Sequence, residues 1–122
     1  MAEHNELGQR GEKIAQSFLL GKGYNILHVN WRNRKAEIDI IAMDGEILVF
    51  VEVKTRQTNH FGDPENAVDY KKQKRLIHAA NAYVLKNRFE NDARFDIVSI
   101  LIEKNATVIN HYVDAFYPTL ER

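Results

Sequence analysis

The chain has 122 residues, the size of a single domain with one hydrophobic core, and 44% apolar with 28% charged residues excludes a disordered chain. Lysine plus arginine and aspartate plus glutamate both number 17, so the formal charge is zero, where a nucleic-acid binder is usually basic overall. Cysteine is absent, which excludes disulfides and thiolate metal sites and fits a reducing compartment.

Residues 5–21 carry a helical stripe of Gly8, Glu12, Ala15 and Leu19, with Gly11 and Phe18 beside it. Gly21-Lys22-Gly23 ends that helix. The segments 24–32, 37–43 and 46–54 read as strands, with a two-residue hairpin at Asp44-Gly45 between the last two. After a polar loop, Asp63 reads as an N-cap with Pro64 at the first helical position, opening a helix to about residue 87. Its inner side would hold Val68, Lys72, Leu76, Ala79, Ala80 and Tyr83. Strands at 94–102 and 107–113 close the order α-β-β-β-α-β-β, one α/β domain over 1–122 with a mixed sheet flanked by helices. The N-terminal MAEHNELGQRGEK has no apolar core of a signal peptide, and no run approaches the roughly 18 apolar residues of a membrane span. The expectation is a soluble, cytoplasmic protein that does not engage membranes.

The hairpin carries the chemical information. With Asp44-Gly45 as the turn, Phe50 faces Asp39 and Glu52 faces Glu37. One face is then aliphatic: Ile38, Ile40, Ala42, Ile47, Val49, Val51 and Val53. The other holds Glu37, Asp39, Ile41, Leu48, Phe50, Glu52 and Lys54. Asp39 and Glu52 are diagonal neighbours, roughly 5–7 Å apart at Cβ. Opposed like charges are destabilising, so a cation is needed, either a basic side chain or a hard divalent metal. Glu12 joins this set if the first helix covers the acidic face. Lys72 and Gln73 come from the second helix.

Plainer readings stand beside these. Alternation alone makes Glu52 and Lys54 a solvated strand face. Glu12 fits a salt bridge at the core edge. Asp96, in an apolar strand, is better suited to a structural hydrogen-bond acceptor than to a ligand. The basic cluster 70–75 is by default a solvated helix face, and Trp31 with Arg32 and Arg34 fits strand-end packing or a DNA-backbone contact. The histidines show no metal spacing, and neither a phosphate-cradling glycine loop nor a serine or cysteine nucleophile motif is present.

The ordered set of Glu12 on a helix, Asp39 on a strand and Glu52-Val53-Lys54 on the next resembles the PD-(D/E)xK nuclease superfamily. Within it the chain resembles the YraN-like family, which is similar to archaeal Holliday-junction resolvases. The segments that carry the likeness run from GQRGEKIA through AEIDIIAMDGEILVFVEVKTR and AVDYKKQKRLIHAANAYV to RFDIV and DAF at 114–116. Ile38 stands where the motif name has proline, and Ala36 where the YraN-like pattern usually has glycine.

The resemblance implies a restriction-endonuclease-like fold and a metal-dependent DNA endonuclease, with branched or otherwise structured DNA as substrate. Asp39, Glu52 and the Val53 carbonyl would bind Mg²⁺ or Mn²⁺, completed or supported by Glu12. Lys54 would orient the attacking water. Arg32, Arg34, Lys35, Arg56, Lys72 and Gln73 would contact nucleic acid. The competing expectation is a non-catalytic module that binds nucleic acid or protein in a repair complex, and zero charge with small size favours a homodimer or a protein partner.

Overall fold

Alternating apolar residues, punctuated by glycine turns, produce the strands. A computed structural model describes residues 2–34, 36–57 and 69–116, with side chains from residue 6. Helix α1 spans Ala2–Gly21, and strands β1, β2 and β3 span Asn25–Asn33, Ala36–Asp44 and Ile47–Arg56. Helix α2 spans Tyr70–Asn87, followed by β4 at Ala93–Ile102 and β5 at Thr107–Phe116. The five strands form one sheet in sequence order. Only β3 and β4 run parallel, as expected for the pair joined through a helix. The fold is the α/β arrangement expected from the sequence, with helices on both faces of a mixed sheet. Among the described residues, no helix is long and apolar enough to cross a membrane.

Each helix buries a different face. Ala15 and Leu19 of α1 pack on Ile40, Ala42, Val49, Val51, Val98 and Ile100. Leu76, Ala79, Ala80 and Tyr83 of α2 pack on Ile41, Leu48, Phe50, Phe95 and Ile97. The first helix therefore covers the aliphatic face, not the acidic one. The face with Phe50 and Glu52 takes α2 instead. Tyr83 centres an aromatic cluster, edge-on to Trp31 at 5.2 Å and to His28 at 5.4 Å. Trp31 is thus strand-end packing against the core.

The hairpin turn differs from expectation by one residue at its tip. Gly45, at φ 62°, and Glu46 form the turn, so Asp44 pairs with Ile47 and Ile40 with Val51. The pairing moves by two positions, which leaves the residues near the turn on their expected faces. Counted onward, Asp39 comes level with Glu52 instead of Phe50. Ile38 is the exception on the aliphatic face, because it joins the cluster under α2. The β2–β3 pairing ends at Ile40–Val51, and strict alternation ends with it.

Helix α2 begins later than the sequence signal suggests. Asp69 has extended backbone, and its side chain accepts from Lys72 N at 2.9 Å as N-cap. Asp63, Pro64 and Val68 lie outside the described residues. Arg88 closes the helix in the left-handed conformation at φ 58°. Both edge strands are irregular. β1 shifts register between Ile26 and His28 and turns left-handed at Asn30. β4–β5 shifts between Phe95 and Ile97, and Asp114 is left-handed.

Gly11 lets α1 approach β3. A Cβ there would lie 1.8 Å from Thr55 Oγ1 and 2.8 Å from Thr55 Cβ. Gly11→Ala should therefore destabilise by about 1–3 kcal/mol despite its better helix propensity. Thermal unfolding checks this, with Thr55→Gly in the same chain restoring the loss.

Candidate active site

Beyond Ile40–Val51, the Asp39 side chain takes over bonding to β3. Val53 N–H donates to Asp39 Oδ2 at 2.8 Å. This bond holds the carboxylate beside Glu52, whose side chain is only 6% exposed. The Lys72 ammonium forms an ion pair with Glu52 Oε2 across from α2, with 34% of the lysine side chain exposed. Burial first, and then the negative charge of Glu52, push the Asp39 carboxyl up to about 8. Glu12 adds to that rise, and the Val53 N–H opposes it.

Glu12 reaches the site although α1 lies on the opposite face. It and Lys54 line an open cavity of about 260 Å³ together with Asp39, Glu52, Thr55 and Lys72. Asn30 Nδ2 donates to Glu12 Oε1 at 3.1 Å and fixes its direction. Sequence reasoning missed Asn30. The available signal was an asparagine in the strand run HVNWR, a residue type that tolerates its left-handed φ of 56°. A second opening of about 190 Å³ is lined by Glu37, Asp39, Glu52, Lys72 and Arg75. Arg75 belongs to the cluster that reads as a solvated helix face, yet it borders this opening.

The expected site residues are only partly brought together. Glu12, Asp39, Glu52, Val53, Lys54 and Lys72 share one cavity. Arg32 is 72% exposed and pairs with Glu37 at 3.6 Å. Arg34 is exposed, and Arg56 and Gln73 are half-buried. Lys35 lies outside the described residues. Among the described residues, no three His, Asp or Glu side chains form a compact metal-ligand group. The donors available to a cation are the paired carboxylates of Asp39 and Glu52, with Glu12 farther along the cavity. Hard oxygen donors with surplus negative charge fit Mg²⁺ or Mn²⁺ chemically.

A second buried acid has the opposite surroundings. Asp96 accepts from Arg94 Nε at 3.0 Å, from Asp114 N at 2.9 Å and from His111 Nε2 at 2.8 Å. Lys22 Nζ lies 2.9 Å from His111 Nδ1. An ammonium only donates, so Nδ1 accepts and Nε2 carries the proton shared with Asp96. Burial alone would raise the Asp96 carboxyl, but these donors hold it below the usual range. Asp96 is a structural acceptor.

The fold and the site define a single-domain α/β protein with an acid pair and a lysine where its strands β2 and β3 stop pairing. The model of the family described as Uncharacterised protein family UPF0102 matches residues 11–100, a span that includes Glu12, Asp39, Glu52, Lys54 and Lys72. A UPF0102 protein of Flavobacterium psychrophilum is 49% identical over 117 residues, covering 96% of this chain and 98% of that one. One of Phocaeicola vulgatus is 45% identical over 120 residues, covering 98% and 99%. One of Alkaliphilus oremlandii is 42% identical over 116 residues, covering 93% and 99%. The chain belongs to the UPF0102 family.

A carboxyl that titrates near 8 when folded and near its ordinary 3.8 when unfolded binds its proton more tightly in the folded chain. The associated stability is full below pH 4 and is lost as pH rises towards 8. Asp39→Asn keeps an oxygen for Val53 N–H but cannot ionise. In EDTA, its stability should gain on wild type by at least about 1.4 kcal/mol between pH 5 and pH 8.5, measured by urea unfolding.

Proposed function

We propose that this protein is a metal-dependent endodeoxyribonuclease, with branched or otherwise structured DNA as its substrate class. The observation that carries the reading is the forced pairing of Asp39 with Glu52 beside Lys54 in one open cavity, with Asp39 pushed up to about 8. Such a perturbed acid pair in a cleft marks a chemical site more often than a structural one.

Asp39 and Glu52 would hold the cation, with the Val53 carbonyl as a further donor and Glu12 as support. A bound Mg²⁺ or Mn²⁺ supplies polarisation of the phosphoryl oxygen and a lowered water pKa. Asp39 must give up its proton to act as a ligand, so cation affinity rises with pH towards 8. Lys54, on the same strand as Glu52, orients the attacking water and stabilises charge at the phosphate. Asn30 keeps Glu12 directed along the cavity. Arg32, Arg34, Lys35, Arg56, Lys72 and Gln73 would supply contacts to the DNA backbone. A formally neutral chain fits work as a homodimer or with a protein partner.

One observation favours a second reading. Lys72 already neutralises Glu52, which suits a non-catalytic module that binds nucleic acid or protein.

The test is cleavage of single-stranded, duplex, flap, fork and four-way-junction DNA with Mg²⁺, Mn²⁺ or EDTA. Asp39→Ala and Glu52→Ala should fall to background while circular dichroism shows an intact fold. Lys54→Ala should slow turnover about 10²–10⁴-fold with DNA affinity little changed. Metal-dependent cleavage persisting in Asp39→Ala would refute the assignment. Cation binding without cleavage of any form would favour the second reading.

A further inference from the structure

The ion pair between Lys72 and Glu52 has a place in the site beyond charge balance. Asp39, Glu52 and Lys72 line both openings, the larger with Glu12 and Lys54 and the smaller with Glu37 and Arg75. The pair therefore forms the partition between two adjoining spaces. Glu52 is nearly fully buried, whereas a third of the Lys72 side chain faces solvent. The carboxylate is the fixed member, and the ammonium is the one with room to leave.

The backbone of Lys72 is anchored independently of its charge. Its N–H donates to the Asp69 side chain at the start of α2. A flexible four-carbon arm on a capped helix turn moves its ammonium by side-chain rotation alone. Arg75 lies three residues on, where helix geometry makes the two side chains neighbours, and it borders the smaller opening.

A divalent cation held by Asp39 and Glu52 would bring two charges to the oxygen that now carries one ammonium. Two cations at Glu52 Oε2 repel each other, so the ammonium and the divalent ion compete for that oxygen. We propose that Lys72 is a displaceable internal counterion: it occupies Glu52 in place of the divalent cation, and cation binding releases its ammonium into the smaller opening beside Arg75. The partition opens, the two spaces join, and two adjacent cations face a phosphate diester in the joined groove. Cation and phosphate binding are then linked, each favouring the other. This inference rests on the metal site of the proposed function.

The experiment is Mn²⁺ titration of the metal-stripped protein by calorimetry, for wild type, Lys72→Met, Lys72→Arg and Glu52→Gln. Removing the competing ammonium should tighten Mn²⁺ binding at least about fivefold in Lys72→Met, while Lys72→Arg stays near wild type. Lys72→Gln, neutral but polar, carries the same expectation if the methionine variant fails to fold. Equal or weaker binding in the neutral variants, with wild-type binding lost in Glu52→Gln, would overturn the exchange and leave the metal site standing. No Mn²⁺ binding by wild type or by any Lys72 variant would remove the metal site and the exchange together.

Discussion

The hydrogen bond from Val53 N–H to Asp39 Oδ2 fixes the arrangement of the site. It replaces a backbone acceptor with a side-chain carboxylate where β2 and β3 stop pairing. Such a hydrogen bond contributes about 0.5–1.5 kcal/mol, enough to favour one rotamer over the others. Its direction sets Asp39 next to Glu52, which water and charge repulsion would oppose. The two cores supply the opposing force. Ile40 and Val51 are locked under α1, while Ile41 and Phe50 are locked under α2, so the next residues out have little freedom. Packing energy thereby holds two acids together where β2 and β3 stop pairing.

Asp39 and Asp96 show how surroundings divide one residue type into two roles. Both are partly or wholly buried, on β2 and β4, the two strands that flank β3. Asp96 meets a guanidinium, an imidazole and a backbone N–H, and its charge is stabilised. Asp39 meets one backbone N–H and two carboxylates, and its charge is opposed. The first arrangement joins β4 to β5 and to the end of α1 through Arg94, His111 and Lys22. The second leaves charge that only a mobile partner from outside the sheet can balance. Asp96 lies level with Val51, one residue before Glu52, so surroundings rather than position along the strands divide the two acids.

The element order was legible because the strands alternate cleanly and glycines mark the breaks. The buried stripe of α2 was legible for the same reason, through Leu76, Ala79, Ala80 and Tyr83. The choice of sheet face for α1 was not, because a helical stripe says that one side is buried but not against what. The turn register was ambiguous because Gly45 serves equally as the second or the first central residue of a two-residue turn. The acid pair survived that ambiguity, since a shift of two positions preserves the face. The start of α2 was hard to read because its cap, Asp69, has no proline after it, so its local signal is weaker than that of Asp63-Pro64. The contacts of Asn30 with Glu12 and of Lys72 with Glu52 join residues 18 and 20 positions apart in sequence, beyond the reach of any local pattern.

The irregularities of β1 and β5 bear on how copies of the chain meet. These are the two edges of the sheet, where free N–H and C=O groups would otherwise invite another strand. On β1 the row is broken by the register shift near His28 and by left-handed Asn30. On β5 it is broken opposite Phe95–Ile97 and at left-handed Asp114. Neither edge presents a long straight ladder, so the sheet resists continuing from one molecule into the next. The interruption at Asn30 also aims a carboxylate: one backbone kink both breaks the exposed edge and sets the wall of the cavity.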